Sequence, residues 1–220
     1  MEHSALMSLA TVAIWAVVSD IAFAQNPPAR PPAQPTTQPA VQPGGRGGGG
    51  GGGRGAMRIM SLVSPAFTDG GMIPMKHAQA GHDVSPPLAW TGAPDSTRSF
   101  VLIVHDADAA IGDGTDDMLH WMVWNIPGTA TSLAEGIKQG SETAALRQIS
   151  GTGPYYRGPA APSTGPAHHY VFELYALDAP INVAAVGQSA ALTRAAVMDA
   201  MRTHIRGKAV LVGLYKRPAP

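Results

Sequence analysis

From Met57 onward the chain sets short apolar runs between Pro, Gly, Asp and Ser, the punctuation of a β protein rather than a helical one. The runs predict strands over Arg58–Val63, Ser99–His105, Leu119–Ile126, His168–Leu177 and Ala209–Tyr215. In Ser99–His105 the consecutive residues Phe100 to Val104 are all apolar. Side chains alternate between faces, so this strand has no water-facing side and is expected to be central, with both faces covered. A covered sheet needs a second layer. One helix is available near the C-terminus, where Leu192, Ala195, Met198, Met201 and Ile205 recur at steps of three or four. Thr193 is its expected N-cap, with Leu192 and Val197 as the hydrophobic staple and Arg206-Gly207 as the C-terminal stop. Its methionine stripe reads as packing against the sheet, not as a cofactor site.

The first part of the chain has another texture. Ala5 to Val18 is an apolar run too short to span a bilayer but suited to the core of a signal peptide, and Ala22-Phe23-Ala24 supplies a small-x-small cleavage site. Gln25 to Gly55 carries Pro27-Pro28, Pro31-Pro32, Gln-Pro pairs and the unbroken glycines Gly47 to Gly53. A segment with so few apolar side chains has little to bury, and is expected to be a disordered tether. No strand precedes the glycines and no Gly-Lys-Ser/Thr follows, which argues against a phosphate loop. The expected organisation is a signal peptide over 1–24, a linker over 25–56 and one domain over 57–220, exported to the periplasm or the exterior with no transmembrane segment after processing.

Composition narrows the function classes. Of the 220 residues 45% are hydrophobic and 14% charged, and the formal net charge is zero, so no long-range field recruits nucleic acid or an anionic membrane. The absence of cysteine rules out a disulfide framework and thiolate metal ligands.

Polar residues collect in four places at strand ends, where sites are built. Asp106-Ala107-Asp108 leaves the apolar strand, and residues two apart in extended chain can aim both carboxylates at one spot; alone, this pattern is turn chemistry. His120 enters a strand between Leu119 and Trp121. Tyr155-Tyr156-Arg157-Gly158-Pro159 is a loop in which glycine permits close backbone approach and proline holds shape. His168-His169-Tyr170 opens a strand whose alternation puts His168 and Tyr170 with Phe172 and Leu174, and sends His169 to the other face with Glu173.

Taken in order, Ser64-Pro65-Ala66-Phe67, Asp83-Val84-Ser85-Pro86-Pro87-Leu88-Ala89-Trp90, Asp-x-Asp, His-Trp, Asn-Ile-Pro, Tyr-x-Gly-Pro, His-x-Tyr and the closing Leu-Val-Gly-Leu-Tyr form a specific set. Across roughly Ser64 to Tyr215 the chain resembles the bacterial phosphatidylethanolamine-binding proteins, the branch also called Raf-kinase-inhibitor-like. The resemblance implies an all-β-dominated, sandwich-like fold: a large central antiparallel sheet packed on a smaller sheet, with a C-terminal helix. It also implies a small anion pocket walled by Asp106, Asp108, His120, Gly158, Pro159, His168 and Tyr170. Two motifs depart from the family pattern. The usual Asp-Pro-Asp-Ala-Pro reads Asp106-Ala107-Asp108-Ala109-Ala110, and the usual Gly-Pro-Cys-Pro reads Gly158-Pro159-Ala160-Ala161, while His169 stands where an Arg is customary. Losing the prolines is expected to loosen the loops.

No nucleophile elbow and no cysteine is present, and no serine is marked for activation by a histidine, so the expectation is a binder and not an enzyme. The first reading is a module for phosphate or a phospholipid headgroup without a cofactor, in which the carboxylates orient and charge the imidazoles, Tyr170 adds its hydroxyl and backbone amides near Gly158 add donors. The second is an inhibitor of a partner protein using the same pocket. A metal-assisted hydrolase comes third, because the histidines lack helical ligand spacing.

Overall fold

The computed structural model describes residues 57–138, 146–184 and 189–219. The Ala5–Val18 run, the Ala22-Phe23-Ala24 site and the Gln25–Gly55 stretch lie outside them. The described elements are β1 (Arg58–Ile59), β2 (Ser61–Val63), β3 (Gly71–Met72), a turn of 3-10 helix (Met75–His77), β4 (Leu88–Thr91), β5 (Ser99–Ile111), β6 (Asp116–Pro127), β7 (Ser132–Leu133), β8 (Arg147–Ile149), β9 (His168–Leu177), α1 (Ala190–Met201) and β10 (Ile205–Tyr215).

The large sheet runs β1-β10-β9-β5-β6-β8, with β3 also on β10, and the small sheet runs β2-β4-β7. From β10 to β8 all pairings are antiparallel, whereas the two-residue strands β1 and β3 join β10 in parallel. The expected all-β-dominated sandwich with one C-terminal helix is what forms. β5 is central as its pattern requires. Phe100, Leu102 and Val104 enter the core shared with Leu62 and Trp90 of the small sheet. Val101 and Ile103 enter a second core with Trp124, Val197 and Met201, under α1. All five β5 residues are at most 2% exposed. Full burial of such side chains is worth about 1.5–3 kcal/mol each, which fixes this strand's register.

Two elements depart from the sequence reading. Arg58–Val63 is two strands: the Met60 amide donates to the Lys208 carbonyl at 2.8 Å, and from Ser61 the chain pairs instead with β4. The break lets one apolar run serve both sheets, with Met60 buried at the crossing. The helix begins earlier than expected. Ser189 is its N-cap, its Oγ accepting the Leu192 amide at 3.2 Å, and Thr193 lies inside, donating its hydroxyl to the Ser189 carbonyl at 3.1 Å. The buried stripe is Thr193, Val197 and Met201, while Leu192 and Met198 are 63% and 40% exposed. Ile205, Arg206 and Gly207 belong to β10, whose pairing with β9 captures them from the helix. Among the described residues no helix is long and apolar enough to cross a membrane.

Candidate anion pocket

The pocket forms where the β5–β9 pairing ends at Asp106, near the starts of β6 and β9. In the β5–β9 register Asp106 lies opposite Tyr170, so the two side chains share a face, and His168, two residues before Tyr170, shares it too. Asp106 is 4% exposed. Its carboxylate accepts the His168 Nδ1 hydrogen at 2.9 and 3.1 Å and, through Oδ1, the amides of Asp108 and Ala109 at 3.0 and 3.1 Å. Turn chemistry and site chemistry are therefore combined in one side chain. The amides it holds are those of residues 108 and 109, so alanine instead of proline at 107 and 110 leaves this turn intact.

His120 reaches the pocket by a β-bulge. Val104 pairs with Trp121 but His105 pairs with Leu119, leaving His120 as the extra residue. The bulge breaks the alternation, so Leu119 faces the helix-side core while Trp121 faces the other. His120 meets the edge of the Tyr170 ring with centroids 5.0 Å apart. Bulges beside sites characteristically re-aim one side chain in this way. His120 Nδ1 lies 2.8 Å from the Arg157 carbonyl. A carbonyl only accepts, so this nitrogen carries the hydrogen. Burial pushes the His120 pKa below its ordinary value despite the nearby Asp106. A neutral ring with a protonated Nδ1 has a lone pair on Nε2, so His120 offers the pocket an acceptor. The expectation that the carboxylates charge both imidazoles therefore fails at His120, where desolvation outweighs attraction.

The loop after Tyr156 is held from behind. Gly158 donates its amide to Asp83 Oδ1 at 2.5 Å, and Asp83 holds a left-handed φ of 56°, a conformation Asp tolerates better than most residues. Gln79 Nε2 donates to the Gly158 carbonyl at 2.8 Å. A Cβ at Gly158 would stand 2.2 Å from the His77 carbonyl oxygen, so glycine here admits the 77–78 backbone rather than a ligand. Arg157 donates its amide to the His120 carbonyl at 3.0 Å. The amides of Ala160 and Ala161 donate to the Tyr170 hydroxyl at 3.2 and 3.1 Å. Every N–H from Arg157 to Ala161 is thus engaged, Pro159 having none, and the expected free backbone donors near Gly158 are not there. Burial first, with Asp106 adding to it by charge and as a hydrogen-bond acceptor, holds the Tyr170 hydroxyl well above its usual pKa, so it stays protonated with its hydrogen engaged by Asp106, and the expected free Tyr170 donor is not there.

These groups line an open cavity of about 180 Å³, with Asp106, His120, Arg157, His168, Tyr170 and Gln79 among its walls. Of the residues expected in the wall, Asp106, His120, His168 and Tyr170 come together. Gly158 and Pro159 stand behind the lining as its support. Asp108 turns away: the Asp106-centred turn breaks period two, and Asp108 Oδ2 accepts the His169 amide and Nδ1 at 2.6 and 2.8 Å. His169 is 56% exposed, on the outer side as alternation requires. Three contributors were not assigned from sequence. Arg157 stands within a motif already singled out, and its loop position next to Gly158 was the available signal. Among the described residues no carboxylate pairs with its guanidinium. Asp83 opens the Ser-Pro-Pro motif, but its role depends on contact with a residue 75 positions away; Gln79 carried no signal. Among the described residues no cluster of three His, Cys, Asp or Glu side chains is disposed to hold a metal.

Residues 63–216 match the family described as phosphatidylethanolamine-binding protein. A UPF0098 protein of Methanothermobacter thermautotrophicus is 35% identical over 161 residues, 72% of this chain and 99% of the relative. Another, from Pyrococcus horikoshii, is 38% identical over 164 residues, covering 72% and 78%. A crystal structure from Chlamydia trachomatis, described as a phosphatidylethanolamine-binding protein homolog, superposes with a TM-score of 0.60 at 31% identity over 73% of this chain and 99% of that one. The Escherichia coli protein YbcL shares the fold, with a TM-score of 0.61 at 24% identity over 72% and 98% of the two chains. The chain belongs to the phosphatidylethanolamine-binding protein family.

Proposed function

We propose that this protein is a binding module whose pocket takes a phosphate-type anion, free or as a phospholipid headgroup, and that it acts outside the cytoplasm after export. The observation that carries this reading is that Arg157, whose guanidinium has no carboxylate partner among the described residues and whose charge reaches His120, lines the same small cavity as His168 and Tyr170. Arginine suits phosphate because its planar donors match two oxygens at once. His168, held by Asp106 through Nδ1, presents Nε2; Tyr170, bonded to Asp106 and to the Ala160 and Ala161 amides, fixes the wall; neutral His120 accepts from a phosphate hydroxyl or an amine. Local, preorganised donors suffice, so zero net charge is no obstacle. Export rests on the Ala5–Val18 run and the Ala22-Phe23-Ala24 site.

Calorimetric titration with inorganic phosphate and phosphorylethanolamine tests the reading. His168→Ala is expected to weaken binding by about 1.5–3 kcal/mol, the worth of a shielded charge-assisted hydrogen bond. His169→Ala, on the outer face, is expected to change nothing. Equal losses in the two variants would sink the proposal.

A further inference from the structure

A second cavity, of about 550 Å³, opens on the helix side of the large sheet, with Ile111, Leu119, Gly151, Ala191, Ala195 and Met198 among its walls. It and the anion pocket are two sides of one wall. Met118 lines both cavities; Leu119 lines the groove and His120 the pocket; Ala109 lines the pocket and Ile111 the groove. A Cβ at Gly151 would stand 3.2 Å from Met118 Sδ, so the bare backbone at 151 gives the flexible Met118 side chain its room at the sheet edge. The groove also leaves apolar groups in water, Ile111 at 38% and Met198 at 40% exposure.

We propose that this groove holds a single alkyl chain esterified to the phosphate that occupies the Arg157–His168 pocket, the chain passing beside Met118. The inference rests on the anion-pocket reading and extends it. Charge decides the orientation. Among the described residues the groove's one cation, Arg194, is paired to Asp117 through both carboxylate oxygens, and Asp116 lines the groove as well. An anionic head is repelled there, while Arg157 waits on the other side of Met118. An uncharged chain meets mostly apolar wall in the groove, as small-molecule sites generally provide.

The experiment is calorimetric titration of the full chain with monomeric n-alkyl phosphates from methyl to octyl, with inorganic phosphate as reference. Each methylene that leaves water tightens binding about fourfold, so octyl phosphate is expected to bind at least about a hundredfold more tightly than methyl phosphate. Ala195→Trp, an exposed helix position filling the groove, and Met198→Glu are each expected to abolish the gain with chain length while leaving inorganic phosphate affinity unchanged. Phosphate binding without any chain-length gain overturns the groove and spares the anion pocket; no binding of phosphate or any ester overturns both. A chain-length gain that survives both variants places the chain elsewhere and overturns the groove. Co-sedimentation with phosphatidylethanolamine vesicles, without tightening by monomeric chains, points to surface docking and also overturns it.

Discussion

His168 Nδ1 sits between the two carboxylate oxygens of Asp106, 2.9 Å from one and 3.1 Å from the other, on a side chain that also anchors the turn at Asp108 and Ala109 within β5. Asp106→Asn keeps an oxygen for the turn but removes the charge that orients the imidazole. It is expected to lower unfolding stability by about 1–3 kcal/mol and to weaken phosphate binding as much as His168→Ala does. Urea unfolding and calorimetry measure the two effects. Unchanged binding in this variant would mean that His168 is not positioned by Asp106.

His120 links stability to pH. Its folded pKa lies below the ordinary 6.5 because burial disfavours the imidazolium. A group depressed on folding contributes its stability above the unfolded value and loses it as pH falls through the folded one. Stability is therefore expected to decline below about pH 6.5, and His120→Gln is expected to flatten that decline. Urea midpoints across the acid range, in both proteins, read the difference in slope.

The fold was largely legible in the residues because the strongest signals are burial signals. The unbroken apolar run from Phe100 to Val104 demanded a strand covered on both faces, and no other placement buries it. The helix was misread at its ends for the same reason that its existence was clear: Leu192 and Met198 fit the apolar spacing, but Thr193, Val197 and Met201 share the face that meets the sheet. In the site, alternation placed His168, His169 and Tyr170 correctly. It failed at Asp108, where a side-chain-anchored turn breaks period two, and the bulge that aims His120 into the pocket leaves no mark in hydropathy either. Asp83 and Gln79 act through contacts across about 75–79 positions of chain, which pattern reading along the sequence does not reach.

On the helix side, Glu173 ties two strands together. Its carboxyl is held at about 2, below the ordinary 4.5, first by neighbouring His105 and then by Lys208, against the opposing effect of burial. Lys208 Nζ lies 2.5 Å from Glu173 Oε1. This contribution is present above the unfolded value and fades as pH falls from about 4.5 toward 2, a window lower than that of His120. Glu173→Gln is expected to cost about 1.5–3 kcal/mol at neutral pH and to remove the lower part of the acid transition, without altering phosphate binding. Chemical denaturation at pH values spanning both windows separates the two groups.

The proposed export makes a simple prediction about covalent structure. Protein recovered from the native envelope is expected to begin at Gln25, after cleavage behind Ala22-Phe23-Ala24. Intact-mass measurement reads this directly, and retention of Met1 on a cytosolic product would contradict it.

Arg157 is the most direct test of the anion pocket, because the residue lines the cavity and its charge reaches His120, while its backbone holds the fold. The amide of Arg157 donates to His120 and its carbonyl accepts from the His120 ring, and substitution of the side chain leaves both in place. The decisive measurement is calorimetric titration of phosphorylethanolamine into the unmodified protein and into Arg157→Met, with melting temperatures recorded alongside. The expected result is binding to the unmodified protein, weakened at least about tenfold in the variant, the scale of one charge-assisted contact, with little change in melting temperature. Equal affinity in the two proteins, or no binding to either, would contradict an anion site at this pocket.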